Sequence, residues 1–441
     1  MAQLTAAQTV RRIVDRLAFG LPAPQRATLA KLDPGTVADS LLDATLNEPT
    51  PPTFAEAPQT RKDATQEQRK TRRTVLRANA DKLAQWWLTE LVTSESPARE
   101  RLTWFWHGHF ATSVQKVNLA ELMLIQNQTF RSLGGDFTEL ARTQIIDPAL
   151  MVWLDAPKNK KGSPNENLGR EFLELFALGH GNYTEADVTD AARALTGWKI
   201  RRQGDEITVD LARRQHDTEQ KTILGVTGNH GARELVDIAL SQPASARFVI
   251  GRLWARFVSH RPPTDRQLEP LLAAYGSNRD VIAALRAMVT SADFGSTDAA
   301  LVKEPVLWLV GLARQLGVTA ETMAAPTKEG KKVPLAQVLL GGLGAMGQVP
   351  LKPPSVGGWP AAGGWLSSGT AASRLSIATR LITVAEPKLT GSDKARIAAA
   401  GDLLGVDEWS TRTADALAGL ADRPVQLLAM AACSPEYIVS R

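Results

Sequence analysis

The sequence predicts a mainly α protein, a single large helical domain over residues 1–441 with a small β-hairpin insertion at about 198–226. Three observations predict it. Ala and Leu lead a composition, with Arg plentiful, that is 44% hydrophobic and 22% charged, an ordinary globular balance rich in helix formers. Apolar residues recur at three- and four-residue spacing behind Ser, Thr, Asp or Asn caps. Strand-like runs are confined largely to 198–226.

In order, residues 8–46 read as two or three short helices broken by LPAP (21–24) and DPG (33–35). EPTPPTFAEAP (48–58) is a proline-rich connector. Residues 61–92 form a long helix whose basic first half faces water, with Leu76, Leu83, Trp87 and Leu91 at helical spacing. SPARERLTWFWHGHF (96–110) is a capped helix closed near Gly108, and helices follow at 118–131 and 135–146. KIRR (199–202) and EITVDL (206–211) pair as a hairpin, with TILG (222–225) as a candidate third strand. From His230 the chain is helical again. TKEGKKVPLA (327–336) reads as an exposed loop, and helices from 371 to 433 close the chain. The loop at 348–370 holds too much Pro and Gly for regular structure. Loops of that length in compact domains are usually functional or disordered, and Trp359 and Trp365 argue against disorder. No repeat and no linker between separate cores interrupts the chain.

The stretch at 165–198, NENLGREFLELFALGHGNYTEADVTDAARALTGW, reads as two helices joined by a Gly-rich turn. At about 100° per residue, Leu168, Phe172, Leu175, Phe176 and Leu178 make one broad apolar face. Glu171 falls inside it, flanked by Asn167 and Glu174, while Glu166 and Arg170 form an i,i+4 pair facing away. A carboxylate enclosed by apolar residues must find a cation or give up its charge. Glu171 is therefore either half of an ion pair, with Arg193, Lys221, Lys303 or a histidine, or an acid whose shifted pKa serves proton transfer.

That stretch, with WFWHGHFATS (104–113), LDAPKNKKGSPNENLGRE (154–171), HDTEQKTILG (216–225), PPSVGGWP (353–360) and SPEYIVSR (434–441), resembles the bacterial domain-of-unknown-function 1800 family (DUF1800). The matches run in order from RLAFG (16–20) to the last residue. The resemblance implies a neighbour, because such proteins are often encoded beside a sulfatase-like family (DUF1501). It also implies that export signals are frequent. It names no reaction.

Several classes are disfavoured. The one cysteine, Cys433, sits in an apolar run, which leaves no internal disulfide or thiolate metal cluster. The N-terminal segment reads as an amphipathic helix built on Val10, Val14 and Leu17, not a signal peptide, and no window reaches the apolar length of a membrane span. The expected location is cytoplasmic, with export beside a partner as the alternative. A net charge of +5 is mild, and the basic run at 61–73 is a solvated face rather than a nucleic-acid site. There is no GxSxG, P-loop, HExxH or strand-borne GxGxxG, and LGGLGAMG (340–347) follows a helix.

What remains is carboxylate and histidine chemistry. One reading is an enzyme acting on a glycan: Glu171 as acid, Glu174 or Glu166 assisting, and His109 or His216, with Asp217 beside it, as base. Trp106, Arg170, Arg193, Trp198, Lys221, Trp359 and Trp365 would then hold the sugar, since indole faces stack on rings. A second is a divalent-metal hydrolase or oxidoreductase with His107, His109 and His216 as ligands, which requires a helix break at Gly108 because an i,i+2 pair otherwise diverges by ~200°. A third is a non-catalytic partner of the sulfatase-like neighbour. The plainer alternative for each cluster is structural: packed histidines, a turn stabilised by Asp217, and indoles that cover the core.

Overall fold

A computed structural model describes residues 2–43, 48–59, 63–204, 206–327 and 333–440. Among them are 23 α-helices and three two-stranded antiparallel sheets. Half of the loop expected at 327–336 (residues 328–332), Asp205 and residues 60–62, which include the first two of the expected long helix, lie outside the described residues.

Caps set the boundaries. Thr5 and Gln8 close a capping box on Ala6–Leu17, and Asp33 caps Pro34–Leu42, so DPG starts a helix as well as ending one. A second box, Thr65 with Gln68, opens the 28-residue helix Gln66–Thr93. The connector before it lies along that helix, its Ala55 backbone held by the Asn79 amide at 2.8 and 3.1 Å.

Helix Pro97–His109 does not close at Gly108. It runs one residue further and is buried on every side, from Ala98 and Arg101 round to Trp106, His107 and His109. A helix apolar all round belongs inside a structure, and this one stands between two hydrophobic cores. Ala98, Leu102, Phe105 and Trp106 join the N-terminal helices and much of residues 130–294. Trp104 joins the other core, built on Gln66–Thr93 and most of residues 306–438.

The hairpin Trp198–Gln203 with Glu206–Leu211 forms as expected, but Lys221–Ile223 is not its third strand. It pairs with Val226–Gly228 instead. Two carboxylates on helix Glu185–Ala194 draw the chain away: Asp190 accepts from the Thr222 amide and Asp187 from the Leu224 amide, each at 2.6 Å. A third pair, Leu301–Val302 with Val439–Ser440, lies outside the expected strand region. Two residues per strand are too few for a period-two pattern to register. No described helix is long and apolar enough to cross a membrane.

Candidate functional site

The helix carrying Glu171 changes pitch at that residue. Asn167–Glu171 is α-helical, and Phe172–Ala177 is a π-helix, closed by the Leu178 amide on the Leu173 carbonyl at 2.9 Å. The wider turn rotates each residue by less than an α-helix does, so the expected face holds at Phe176 and Leu178 but shifts between Phe172 and Phe176. Leu173 is buried and Leu175 is not. Glu171 is consequently half-buried beside Glu174 instead of enclosed, and burial together with Glu174 raises its carboxyl above the ordinary range.

The cations expected for Glu171 are engaged elsewhere. Arg193 holds Asp190 and Asp217, each at 2.8 Å. Lys221 donates to the carbonyls of Asp217 and Glu219 (2.7 and 2.8 Å), and Lys303 pairs with Asp15 at 2.7 Å. Glu174 accepts from the Tyr183 hydroxyl and lies 3.5 Å from His180. Burial and that bond push the Tyr183 hydroxyl up to about 12. Neither Tyr183 nor His180 stood out in the sequence, although the GHGNY turn directly after the helix places both. Arg170 bridges Glu185, through two 2.7 Å bonds, and Glu166 at 3.1 Å.

The His216–Asp217 segment is a knot of local bonds. His216 Nδ1 meets the Thr196 carbonyl at 2.9 Å, and the Asp217 amide donates to Thr196 Oγ1 at 2.7 Å. Asp217 also accepts from the Glu219 amide at 2.9 Å, the turn-stabilising bond of an Asx turn. Burial alone would raise the Asp217 carboxyl. Arg193, the Glu219 amide and Lys221 outweigh it and hold the group below the usual range.

His107 and His109 do not converge, because the helix continues through Gly108. His107 Nε2 accepts from the Leu351 amide at 3.1 Å, among Trp87, Trp104 and Trp359. His109 points into the other core, where its Nε2 meets the Phe176 carbonyl of the π-helix at 2.9 Å. A carbonyl accepts only, so Nε2 carries the proton and the buried, unpartnered Nδ1 does not. Burial pushes both imidazoles down to about 3, with Arg252 adding to the effect at His109. These two and His216 therefore do not form one donor set for a divalent metal. Among the described residues no group of three or more His, Cys, Asp or Glu is arranged to hold a metal ion.

Three of the four indoles expected to face a sugar are core. Trp106 is fully buried and donates to the Gly134 carbonyl at 2.9 Å. Trp359 stacks on Trp104 at 5.0 Å, Trp365 is buried, and only Trp198 keeps part of its ring exposed. The 348–370 loop is thus a cover, seated through Gly358 (φ +81°), where a Cβ would come 2.5 Å from the Gly108 carbonyl.

A cavity of about 590 Å³ lies elsewhere. Gln8, Arg11, Arg12 and Asp15 line it from the polar face of the first helix, at i, i+3, i+4 and i+7. Opposite stands the 404–411 loop with Asp407, Glu408 and Trp409, and Lys303, Gln315 and Tyr437 line it as well. Arg11 pairs with Asp407 across it, and the Tyr437 hydroxyl donates to Gln315 Oε1 at 2.7 Å. Asp15 and Lys303 also border a small second cavity that shares Arg101, Arg256 and Glu304 with a third beside Trp104. A polar seam thus runs along the junction of the two cores.

Fold and seam together define a mainly helical protein with two cores and a polar junction. A family model described as a protein of unknown function (DUF1800) matches residues 12–439, and the chain belongs to that family. No curated protein and no solved structure matches it.

The depressed His109 gives a pH test with a definite sign. Its folded pKa lies below the unfolded value, so falling pH protonates the unfolded chain first. The stability that neutral His109 contributes is complete above about pH 6.5 and declines toward about pH 3, by about 1.4 kcal/mol per pH unit. The difference in unfolding free energy between wild type and His109→Gln should therefore shrink from about pH 7 to about pH 5, measured in urea. A constant difference contradicts the buried neutral assignment.

Proposed function

We propose that the protein binds a polyhydroxylated small molecule, a sugar or short glycan, in the 590 Å³ cavity. The observation that carries this reading is the chemistry of its walls. Carboxylates from both walls (Asp15 on one, Asp407 and Glu408 on the other), a lysine and an indole, Trp409, line a space of the size ligand pockets occupy. Carboxylates accept from adjacent hydroxyls, amides and lysine donate to them, and an indole face covers the apolar side of a pyranose. Calorimetric titration with a panel of neutral mono- to tetrasaccharides should find saturable binding, weakened about tenfold, roughly 1.4 kcal/mol, by Trp409→Ala. Absence of binding across the panel, or full affinity in the variant, overturns the reading.

Acid–base chemistry on a glycan is a second reading, favoured by Glu171. Its carboxyl is raised by burial and by Glu174, as a group that must donate a proton requires. Tyr183 and His180 fix Glu174 beside it. Glu171→Gln strands no cation and relieves repulsion. Its melting temperature should match or exceed wild type while reducing-end release from the glycan substrate falls to background. A large drop in melting temperature would show a structural role instead.

A further inference from the structure

Beside the Trp104–Trp359 stack the seam holds a narrow cleft lined by three arginines. Its walls come from two helices in register. Helix Pro97–His109 supplies Arg101, Trp104, Phe105 and Gly108, one face at i, i+3, i+4 and i+7, and helix Pro243–Phe257 supplies Arg252 and Arg256 at i, i+4. Glu304 is the one carboxylate among the lining residues. It is already committed: Arg256 Nη1 donates to one of its oxygens at 3.0 Å and the Gln348 amide to the other. Arg256 spends its other terminal nitrogen on the Trp359 carbonyl at 3.3 Å, which fixes the cover loop.

Arg101 and Arg252 are left over. Arg101 is buried, donates to the Arg256 carbonyl at 3.0 Å and lies 4.4 Å over the Phe257 ring, yet its Nε has no partner. Arg252, largely enclosed, makes no hydrogen bond or ion pair among the described residues. A guanidinium offers five N–H donors and keeps its charge, so the buried Nε of Arg101 is an unmet donor, while the partly exposed Arg252 keeps its donors free at the mouth of the cleft. Its charged neighbour Arg256 is a cation and adds repulsion. The cleft has an opening suited to a ligand. At Gly108 an added Cβ would have nothing within 4 Å. The enclosed volume is about 20 Å³, room for a water-sized group and not for a whole metabolite.

We infer that this cleft is a second binding site, for an oxyanionic headgroup (a carboxylate, sulfate or phosphate) that places one oxygen between Arg252 and Arg101 while the remainder of the group and its molecule stay outside. Two guanidinium forks converging on one opening match the planar, paired oxygens of such groups, which a lysine would meet only as a point charge. Phe105 and the Trp104–Trp359 stack exclude water from one side and strengthen each bond. This site does not depend on the sugar reading of the large cavity, with which it shares no lining residue.

The test is thermal unfolding of the full chain in sodium sulfate, phosphate or acetate against chloride at matched ionic strength, backed by calorimetric titration of each anion. Wild type should show a saturable rise in melting temperature. Arg247→Ala, on the same helix but paired with Asp265 at the surface, should show the same rise and so controls for general salt effects. Arg252→Met should lose the response, because the donors at the mouth of the cleft have gone. Gly108→Ala should also lose the response, since its methyl occupies the opening while favouring the helix. A response to acetate assigns a carboxylate ligand, and a response confined to sulfate or phosphate assigns a tetrahedral one. Equal responses in wild type, Arg252→Met and Gly108→Ala, or no saturable binding of any of the three anions to wild type, overturn the proposal.

Discussion

Arg16 is the interaction on which the arrangement depends. Its guanidinium is fully enclosed and has no carboxylate bonded to it. It binds the carbonyls of Phe257, Val258, Ala299 and Ser440, and the Ser440 hydroxyl at 3.1 Å. Those partners lie up to 424 residues away in sequence. Phe257 ends a helix and Val258 follows it, where carbonyls lack intrahelical donors and the helix dipole is negative. One cation therefore satisfies a helix end, a loop and the terminal strand together. Burial pushes its pKa down, with Arg12 adding and Asp15 opposing.

The same device recurs beside the junction, within each core. Arg314 reaches the carbonyls of Leu91 and Val92, in the last turn of the 28-residue helix, and that of Gly20. Arg374 reaches those of Trp365 and Lys303, and Arg12 those of Phe294 and Ser296. Stitching two cores by cation-to-carbonyl bonds leaves a polar interior that side chains do not fill, and the cavities lie there. A seam of this composition suits ligands rich in hydroxyls and negative charge. Arg252 stands apart because it faces the seam and finds no acceptor.

The helical class was legible in the sequence because caps and apolar spacing agreed, as at Thr184 with Asp187. The 104–113 and 353–360 motifs do meet in space, through Gly108, Gly358 and the two stacked indoles. The role of that meeting was not legible, because a tryptophan that covers a core and one that faces a ligand look alike in one dimension. Glu171 was misplaced for a geometric reason, since a fixed α-helical rotation cannot anticipate a π-turn. The arginine face of helix Pro97–His109 was present as Arg101, Trp104, Phe105 and Gly108, but the neighbouring histidines drew the metal reading. The large cavity had no sequence signal beyond the polar face of the first helix, because its opposite wall lies some 390 residues later.

The account rests most directly on buried guanidinium groups binding carbonyls across the junction. Equilibrium urea unfolding of Arg16→Met tests it, since the side chain keeps its apolar stem and loses every donor. Four carbonyls are then left without that partner, and removing one side of a buried charged interaction costs about 3–5 kcal/mol. The predicted result is a loss of that size with the urea dependence unchanged. Stability within about 1 kcal/mol of wild type, the range of an ordinary substitution, would contradict the claim that these bonds hold the two cores together.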